Sequence, residues 1–187
     1  MWRYPDTEDV RDWIEENFLW AVDNDLLTPD TQLVLPTETF FKAQKGEPEE
    51  VAAAVFDDLR RLLDLEDAEI DLVPMDIVSE EYRNDYNALS GVGGTWQGGD
   101  RAVIRYDPAM TTRPLTLLST LSHELMHHVL HSVEEYPPGG AETEELATDL
   151  HVITMGLGVI AMAGAEQAGW QGYMTQPSRA HALALCL

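Results

Sequence analysis

The sequence predicts an α+β fold in which a small mixed sheet packs on a helix and a helical half follows. Helical and strand-like patterns alternate over the first 106 residues, whereas only helical patterns follow them. The chain has 187 residues, of which 44% are hydrophobic and 24% are charged. These values are typical of one globular domain, so we expect a single domain over 1–187. Residues 1–90 would contribute the N-terminal helices and strands, and residues 91–187 an edge strand and the remaining helices.

Two helices are predicted in the N-terminal half. Apolar residues recur at a spacing of about 3.6 over residues 6–27 and again over residues 48–65. Pro29 ends the first helix, and Pro48, followed by two acidic residues, opens the second.

Short apolar or alternating runs predict three strands, at residues 32–36, 69–74 and 101–106. Residues 90–100 contain five glycines and are predicted to form a turn-rich loop. The glycines do not indicate a phosphate-binding loop, because no helix with a lysine follows them.

Three helices are predicted in the C-terminal half. The first begins after Thr111 or Thr112 and ends near Ser132. The second covers residues 141–165 and is so apolar in its second half that we expect it to be buried. The third covers residues 177–187.

The charge balance limits the partners of the protein. Eleven Lys and Arg residues stand against 34 Asp and Glu residues, which gives a formal net charge of −23. Such a surface repels nucleic acids and anionic lipids. The apolar run Val152–Gly164 is shorter than a bilayer requires, and the N-terminus lacks a signal-peptide pattern. With a single cysteine, Cys186, the sequence therefore predicts a cytoplasmic protein that binds neither nucleic acid nor membrane.

The most informative residues are HELMH, at positions 123–127. His123 and His127 are one helical turn apart, so both imidazoles project from one face at a spacing that can hold one Zn²⁺. Glu124 lies beside the first ligand, close enough to a water at the metal to accept its proton. The motif therefore predicts a zinc site with Glu124 as general base.

The next helix offers the third protein ligand that a catalytic zinc usually has. Glu145 and Asp149 are four residues apart and share one helix face. We predict Glu145 as the ligand and Asp149 as the acceptor of a ligand histidine's second nitrogen. Glu142 and Glu144 remain alternatives for the ligand.

Four further side chains are candidate donors to an oxyanion: Tyr106, Tyr136, His151 and Tyr173. A buried structural role is the alternative for His151. His128 points away from the face of His127, and His131 lies near the end of the helix, where a cation suits the helix dipole. Neither is expected to bind the metal.

The motif residues resemble those of the gluzincins, HExxH zinc peptidases whose third ligand is a Glu on a following helix. Residues 123–131 read HExxHxxLH, and Glu145 to Asp149 matches the ExxxD pattern of the family. The likeness is greatest to small single-domain members, some of them intracellular proteins that cleave repressors, and it covers residues 91–164. Thr148 and Met126 differ from the residues that many relatives carry, and Met126 is expected to narrow the site.

The resemblance implies that Zn²⁺ is bound by His123, His127 and Glu145 and that Glu124 activates water. It also implies that the strand at 101–106 is the sheet edge that holds a peptide or protein substrate in extended form. We therefore expect a zinc-dependent endopeptidase. The alternative is a regulatory or binding protein with a metalloprotease-like fold, stabilised by zinc and without turnover.

Overall fold

The computed structural model describes residues 7–42, 46–75, 93–99, 101–170 and 172–187, and it confirms the α+β class. The helices in these ranges are α1 (Glu8–Asp23), α2 (Pro48–Leu62), α3 (Pro114–Ser132), α4 (Glu144–Val152), α5 (Gly158–Gln167) and α6 (Gln176–Leu185). The strands are β1 (Ile70–Pro74), β2 (Gly94–Gln97) and β3 (Ala102–Tyr106). A buried apolar cluster links the sheet, α3 and the C-terminal helices into one core.

Helix α1 ends at Asp23, before the predicted end at residue 27. The Asn24 side chain donates to the carbonyl of Trp20 at 2.9 Å, which satisfies one of the last carbonyls of the helix. Asp25 then has a φ of 59°, which turns the chain away from the helix axis.

The sheet has the strand order β1-β3-β2, with β1 parallel and β2 antiparallel to β3. The prediction that residues 101–106 form the sheet edge is therefore wrong, because β3 is the central strand. Burial of alternate residues along β3, Ala102, Ile104 and Tyr106, fits a strand whose one face covers the core. Among the described strands, the edge that faces α3 is β2.

Strand β2 lies inside the stretch 90–100, which the sequence predicts as a loop. Because glycine is depleted in strands, the glycines of this stretch favour a loop over a strand in the sequence pattern. Gly94 pairs with Tyr106 and is buried against α3, where an added Cβ would lie 2.8 Å from Thr120 Cγ2. The sheet approaches α3 closely here because Gly94 has no side chain.

The predicted strand at 32–36 is not a strand in the structure. Residues 32–36 pair with none of the described strands. The backbone N–H of Val34 instead donates to the carbonyl of Gly156 at 2.9 Å. Val34 itself is buried in the core. The apolar run therefore reflects a core contact with the C-terminal helices rather than strand pairing.

The predicted helix over 141–165 is broken in the structure. A 3₁₀ turn (Gly140–Thr143) precedes α4, and a π-helical segment (Ile153–Leu157) separates α4 from α5. Gly156 has a φ of 85°, and an added Cβ there would collide with the carbonyl of Gln32. The break follows from this close approach, which only glycine permits.

Helix α3 lies between the sheet and α5 and begins at Pro114, later than predicted. Thr111 and Thr112 do not cap it, because their hydroxyls donate to carbonyls of the preceding 3₁₀ turn. Leu121 and Leu125 of α3 are fully buried, which fixes the rotation of the helix and the direction of its histidines.

One helical stretch, Gly140–Gln167, is long and apolar enough to cross a membrane by length and composition alone. It is longer than the run considered from the sequence, but 67% of its most apolar window is buried inside the fold. Core helices of soluble proteins pass the same test, so the stretch is weak evidence for a membrane.

Candidate metal centre

Two histidines of α3 and one glutamate of α4 converge on one point. His123 Nε2 lies 3.1 Å from Glu145 Oε2, and His127 Nε2 lies 3.5 Å from the same oxygen. One ligand atom from each of the three side chains lies within 4.8 Å of the others. The structure thus brings together the predicted set and leaves Glu142, an exposed residue of the 3₁₀ turn, outside it.

The spacing of the donor atoms fits a tetrahedral zinc ion. Ligand distances of about 2.0–2.1 Å in tetrahedral geometry separate the donors by about 3.3 Å. The two measured separations, 3.1 and 3.5 Å, lie on either side of that value. Two imidazoles and one carboxylate are also the ligand types of many catalytic zinc sites. The three residues therefore fit the predicted Zn²⁺ in both chemistry and spacing.

Asp149 fixes the orientation of His123. Its Oδ1 lies 3.0 Å from His123 Nδ1. An ionised carboxylate only accepts hydrogen bonds, so Nδ1 carries a proton toward Asp149. Nε2 is then the nitrogen that faces Glu145, and it could bind a metal once it gives up its own proton. The sequence-based role of Asp149 matches this contact.

Three donors hold the other oxygen of Asp149. The backbone N–H groups of Tyr173 and Met174 donate to Oδ2 at 2.8 and 3.0 Å, and Arg179 of α6 donates at 2.7 Å. Burial disfavours the charged carboxylate, but His123 and Arg179 outweigh burial and hold the pKa of Asp149 well below its usual range. Asp149 is therefore a fixed anion behind His123.

His127 has its own supports on α4. Its Nδ1 lies 3.4 Å from the Thr148 hydroxyl and 3.6 Å from Glu144 Oε1. The Thr148 hydroxyl donates to the carbonyl of Glu144, which leaves its oxygen to accept from Nδ1. Glu144, an alternative ligand from the sequence, thus lies on the far side of the His127 ring from the site.

The charges of the site are strongly coupled. Burial opposes protonation of His123, but hydrogen bonds to Asp149 and Glu145 outweigh it and raise the pKa of His123 to about 10. Hydrogen bonds from His123 and His127 lower the pKa of Glu145 to about 2. A metal ion would therefore displace a proton from His123 on binding, since only the neutral imidazole binds it.

Glu124 is buried between α3 and β2, with only 6% of its surface exposed. Its side chain lies against Gly94, where an added Cβ would be 2.9 Å from both Cγ and Oε1. The backbone N–H of Trp96 donates to the carboxylate. Burial raises the pKa of Glu124, and the charges of His123 and His127 partly offset this. The carboxylate therefore lies beside the cluster in a partly desolvated position.

The Trp96 ring packs against three histidines of α3, one from the cluster and two outside it. It stacks on His127 with centroids 6.0 Å apart, and it also contacts His128 and His131 at 6.5 and 5.1 Å. Burial, with the nearby charge of His131, lowers the pKa of His128. Both extra histidines lie outside the ligand cluster, as predicted.

One of the four candidate oxyanion donors lies at the site. The ring of Tyr173 stacks on His123 with centroids 5.8 Å apart and an interplanar angle of 16°. Burial and the carboxylates of Glu145, Asp149 and Glu124 raise the pKa of Tyr173 to about 12. Its hydroxyl therefore remains a hydrogen-bond donor at neutral pH.

The other three candidates lie elsewhere. Tyr106 is buried in the sheet, and Tyr136 is largely exposed in the loop after α3. His151 is 0% exposed and contacts Thr154 and Asn17 in the core, so the structural alternative holds for it. Helical rotation explains its position, because residue 151 does not share the face of Glu145 and Asp149.

Sequence reasoning missed several supporting residues. Thr148, which the sequence marks only as a difference from the family pattern, contacts His127, and Arg179, which no motif marks, donates to Asp149. In the sequence, Arg179 stands out only as the one Lys or Arg in the predicted helix 177–187, whose second half is apolar. Met126, expected to narrow the site, is instead fully buried in the core.

Comparison of the chain with protein-family models, curated proteins and solved structures gives no significant match. The chemistry of the cluster is therefore inferred from its residues and their geometry alone.

Proposed function

We propose that this protein is a zinc-dependent endopeptidase, similar in its site to the gluzincins, with Glu124 as general base. The observation that carries the proposal is the position of Glu124. A buried carboxylate lies beside two histidines and a glutamate whose donor atoms have the spacing of a zinc site. A site that only stabilised the fold would not require that carboxylate.

His123, His127 and Glu145 would hold the metal, and their exposure leaves the cluster open on one side. The side chain of Glu145 is 45% exposed, whereas those of His123 and His127 are 16% and 10% exposed. When bound there, Zn²⁺ would supply Lewis acidity, which makes water acidic and a peptide carbonyl electrophilic.

Glu124 would accept the proton of the attacking water and pass it to the leaving amine. A general base works best when its pKa lies near the working pH. Burial raises the pKa of Glu124 in that direction. The Trp96 N–H donates to the carboxylate and limits its movement.

Tyr173 would stabilise the negative charge that develops on the carbonyl oxygen. Its pKa of about 12 keeps the hydroxyl protonated, and its ring is fixed against His123. The hydroxyl hydrogen-bonds Glu145 and 45% of the residue is exposed, so it lies at the cluster where it could donate to a developing oxyanion.

The edge of β2 would hold the substrate in extended form. The carbonyl of Gly93 accepts from Asp107 next to β3, so strand alternation turns the backbone groups of Gly94 and Trp96 away from β3. The Trp96 N–H is used by Glu124, which leaves the N–H and carbonyl of Gly94 and the carbonyl of Trp96 for a substrate strand. A peptide could add to this edge as a further strand, next to the two β2 residues that contact Glu124. The charge of −23 disfavours acidic polymers, which supports a protein rather than a nucleic acid substrate.

The test compares wild type with Glu124→Gln on a library of unstructured peptides. We expect about one zinc per chain in both proteins and a loss of at least ~10²-fold in turnover for Glu124→Gln, since glutamine cannot accept the proton. Glu142→Gln is the matched control, because this acid lies just before α4 but outside the cluster; it should keep full activity.

Equal cleavage by wild type and Glu124→Gln would remove Glu124 from the mechanism. Full zinc content with no cleavage by the wild type would favour the zinc-stabilised binding protein. In such a protein, a zinc ion bound by the cluster would stabilise the fold by linking α3 to α4.

A further inference from the structure

A cavity of about 260 Å³ lies beside the metal centre. Its walls come from the N-terminal part of α1, the beginning of α4 and the loop before α6. Val10, Trp13, Leu146 and Met174 form its apolar surface, and hydroxyl groups line part of its rim. The metal cluster and Glu124 do not belong to its lining.

Tyr173 joins the cavity to the metal centre. It lines the cavity, and its ring stacks on His123. The backbone N–H groups of Tyr173 and Met174 both donate to Asp149, which orients His123. Leu146, another wall residue, directly follows the ligand Glu145. The cavity is therefore held in a fixed position relative to the cluster.

The size and lining of the cavity favour a single large apolar side chain. At about 260 Å³ the cavity lies just below the range of about 300–1,000 Å³ for pockets that hold whole small molecules, and it is large enough for one aromatic or branched apolar side chain. The indole N–H of Trp13 already donates to the carbonyl of Pro138 at 2.7 Å, so the ring presents apolar surface to an occupant. The lining has one charged residue, Asp9, which is exposed, so the apolar walls themselves offer no ion pair to a charged side chain that loses its hydration on entering.

We propose that this cavity is a specificity pocket that binds one large apolar side chain of the substrate, close to the bond that is cleaved. The inference rests on the proposed peptidase function, because it assigns the occupant to a substrate peptide. The N-terminal helix α1 would then select the substrate, a role that the metal-site motif does not reveal.

The test varies one residue of a peptide and the volume of the pocket together. Peptides of the form acetyl-Ala-Ala-X-Ala-Ala-amide, with X as Phe, Leu or Gly, are incubated with the zinc-loaded protein. We expect kcat/KM for Phe or Leu to exceed that for Gly by about 10-fold or more, the scale of a filled apolar pocket. Val10→Trp fills the pocket and should reduce the Phe-to-Gly ratio to about 1.

Val22→Trp is the matched control, since Val22 lies on the same helix, is 51% exposed and does not line the cavity. It should keep the preference. Thr7→Trp narrows the pocket from an exposed position at its rim, so it provides a second variant if Val10→Trp fails to fold. An unchanged Phe-to-Gly ratio in a folded pocket variant overturns the inference.

A binding measurement separates this inference from the peptidase proposal. The indole N–H resonance of Trp13 reports on the cavity, and it is followed while the Phe and Gly peptides are added to the Glu124→Gln protein. Binding that favours Phe and is lost in Val10→Trp supports the pocket even if no peptide is cleaved. Cleavage without any apolar preference rejects the pocket and leaves the peptidase proposal standing. Absence of both binding and cleavage rejects the pocket.

Discussion

Asp149 Oδ1 lies 3.0 Å from Nδ1 of His123, so a residue of α4 orients a histidine of the candidate metal cluster on α3. The other oxygen of Asp149 accepts from Arg179 of α6 and from two backbone N–H groups of the loop before it. One carboxylate thus connects three helical elements to the metal cluster. Stability, metal affinity and substrate contacts should therefore change together when this connection is altered.

Removal of the metal should lower the melting temperature. His123 and His127 lie on α3 and Glu145 on α4, so a bound ion would link two helices that separate on unfolding. A ligand at about 1,000 times its Kd stabilises the folded state by about 4 kcal/mol. We expect a chelator to lower the melting temperature of the wild type but to have little effect on His123→Ala.

His131→Ala is the control for that experiment, because His131 lies on the same helix and outside the cluster. It should respond to the chelator as the wild type does. Identical melting curves for the wild type before and after complete metal removal, checked by elemental analysis, would show that the ion does not link α3 to α4.

Replacement of Arg179 should weaken metal binding although Arg179 does not belong to the cluster. Arg179→Met leaves the buried Asp149 carboxylate without its arginine partner and so loosens its hold on His123; we expect zinc affinity to fall by about 10–100-fold. Folding stability should fall by about 3–5 kcal/mol, the usual cost of breaking a buried ion pair. Competition with a chromophoric chelator measures the affinity.

Two further variants separate charge from packing in this network. Arg179→Lys keeps a positive charge near Asp149 and should retain more affinity than Arg179→Met. Asp149→Asn should lose affinity to a similar degree, since the amide cannot orient His123 as an anion does. Wild-type affinity in a folded Arg179→Met protein would contradict the positioning role of this arginine.

Helical spacing alone places His123 and His127 on one face, so this part of the cluster could be predicted from the sequence. Glu145 was predicted from its spacing to Asp149 on the next helix, and Glu142 and Glu144 stayed open as alternatives until the fold brought Glu145 to the histidines. Residues one turn apart share a face whatever the rest of the fold does. Arg179 and Tyr173 reach the site only through the packing of α6 and the loop before it, so local pattern does not identify Arg179 and does not single out Tyr173 among the four candidate donors. Strand β2 was not predicted because glycine has a low strand propensity. At Gly94 the close approach of the sheet to α3 requires a residue without a side chain, and this packing outweighs the propensity.

Acid should destabilise the protein through His151. Burial lowers the pKa of His151 to about 3, whereas a histidine in the unfolded chain titrates near about 6.5. The unfolded state therefore binds more protons below pH about 6.5, and the stability contribution of the neutral ring is lost as the pH falls from there towards 3. Between pH 7.5 and 5 the free energy of unfolding should drop by about 2 kcal/mol from this group alone.

Urea denaturation of wild type and His151→Gln, both with chelator present, measures this effect. The titration of His123 is common to both proteins and cancels in the difference. Glutamine can still pair with Asn17 and Thr154, so the variant should fold and show a flatter dependence on pH. Parallel pH profiles for the two proteins would contradict the assignment.

Substitution of Gly94 should separate catalysis from metal binding. An added Cβ would lie 2.9 Å from Cγ and Oε1 of Glu124 and 2.8 Å from Thr120 Cγ2, so Gly94→Ala must displace the carboxylate or push β2 from α3. The backbone at this position is ordinary strand, and alanine adds no backbone strain there. The ligands do not contact the added methyl group, so zinc content should stay at the wild-type level. Turnover should fall by about 10²-fold, as for a misplaced general base.

Thr95→Ala, at an exposed position of the same strand, should keep full turnover. Full activity in Gly94→Ala would show that the position of Glu124 under β2 does not matter for the reaction, whereas loss of zinc would show that β2 supports the metal cluster itself.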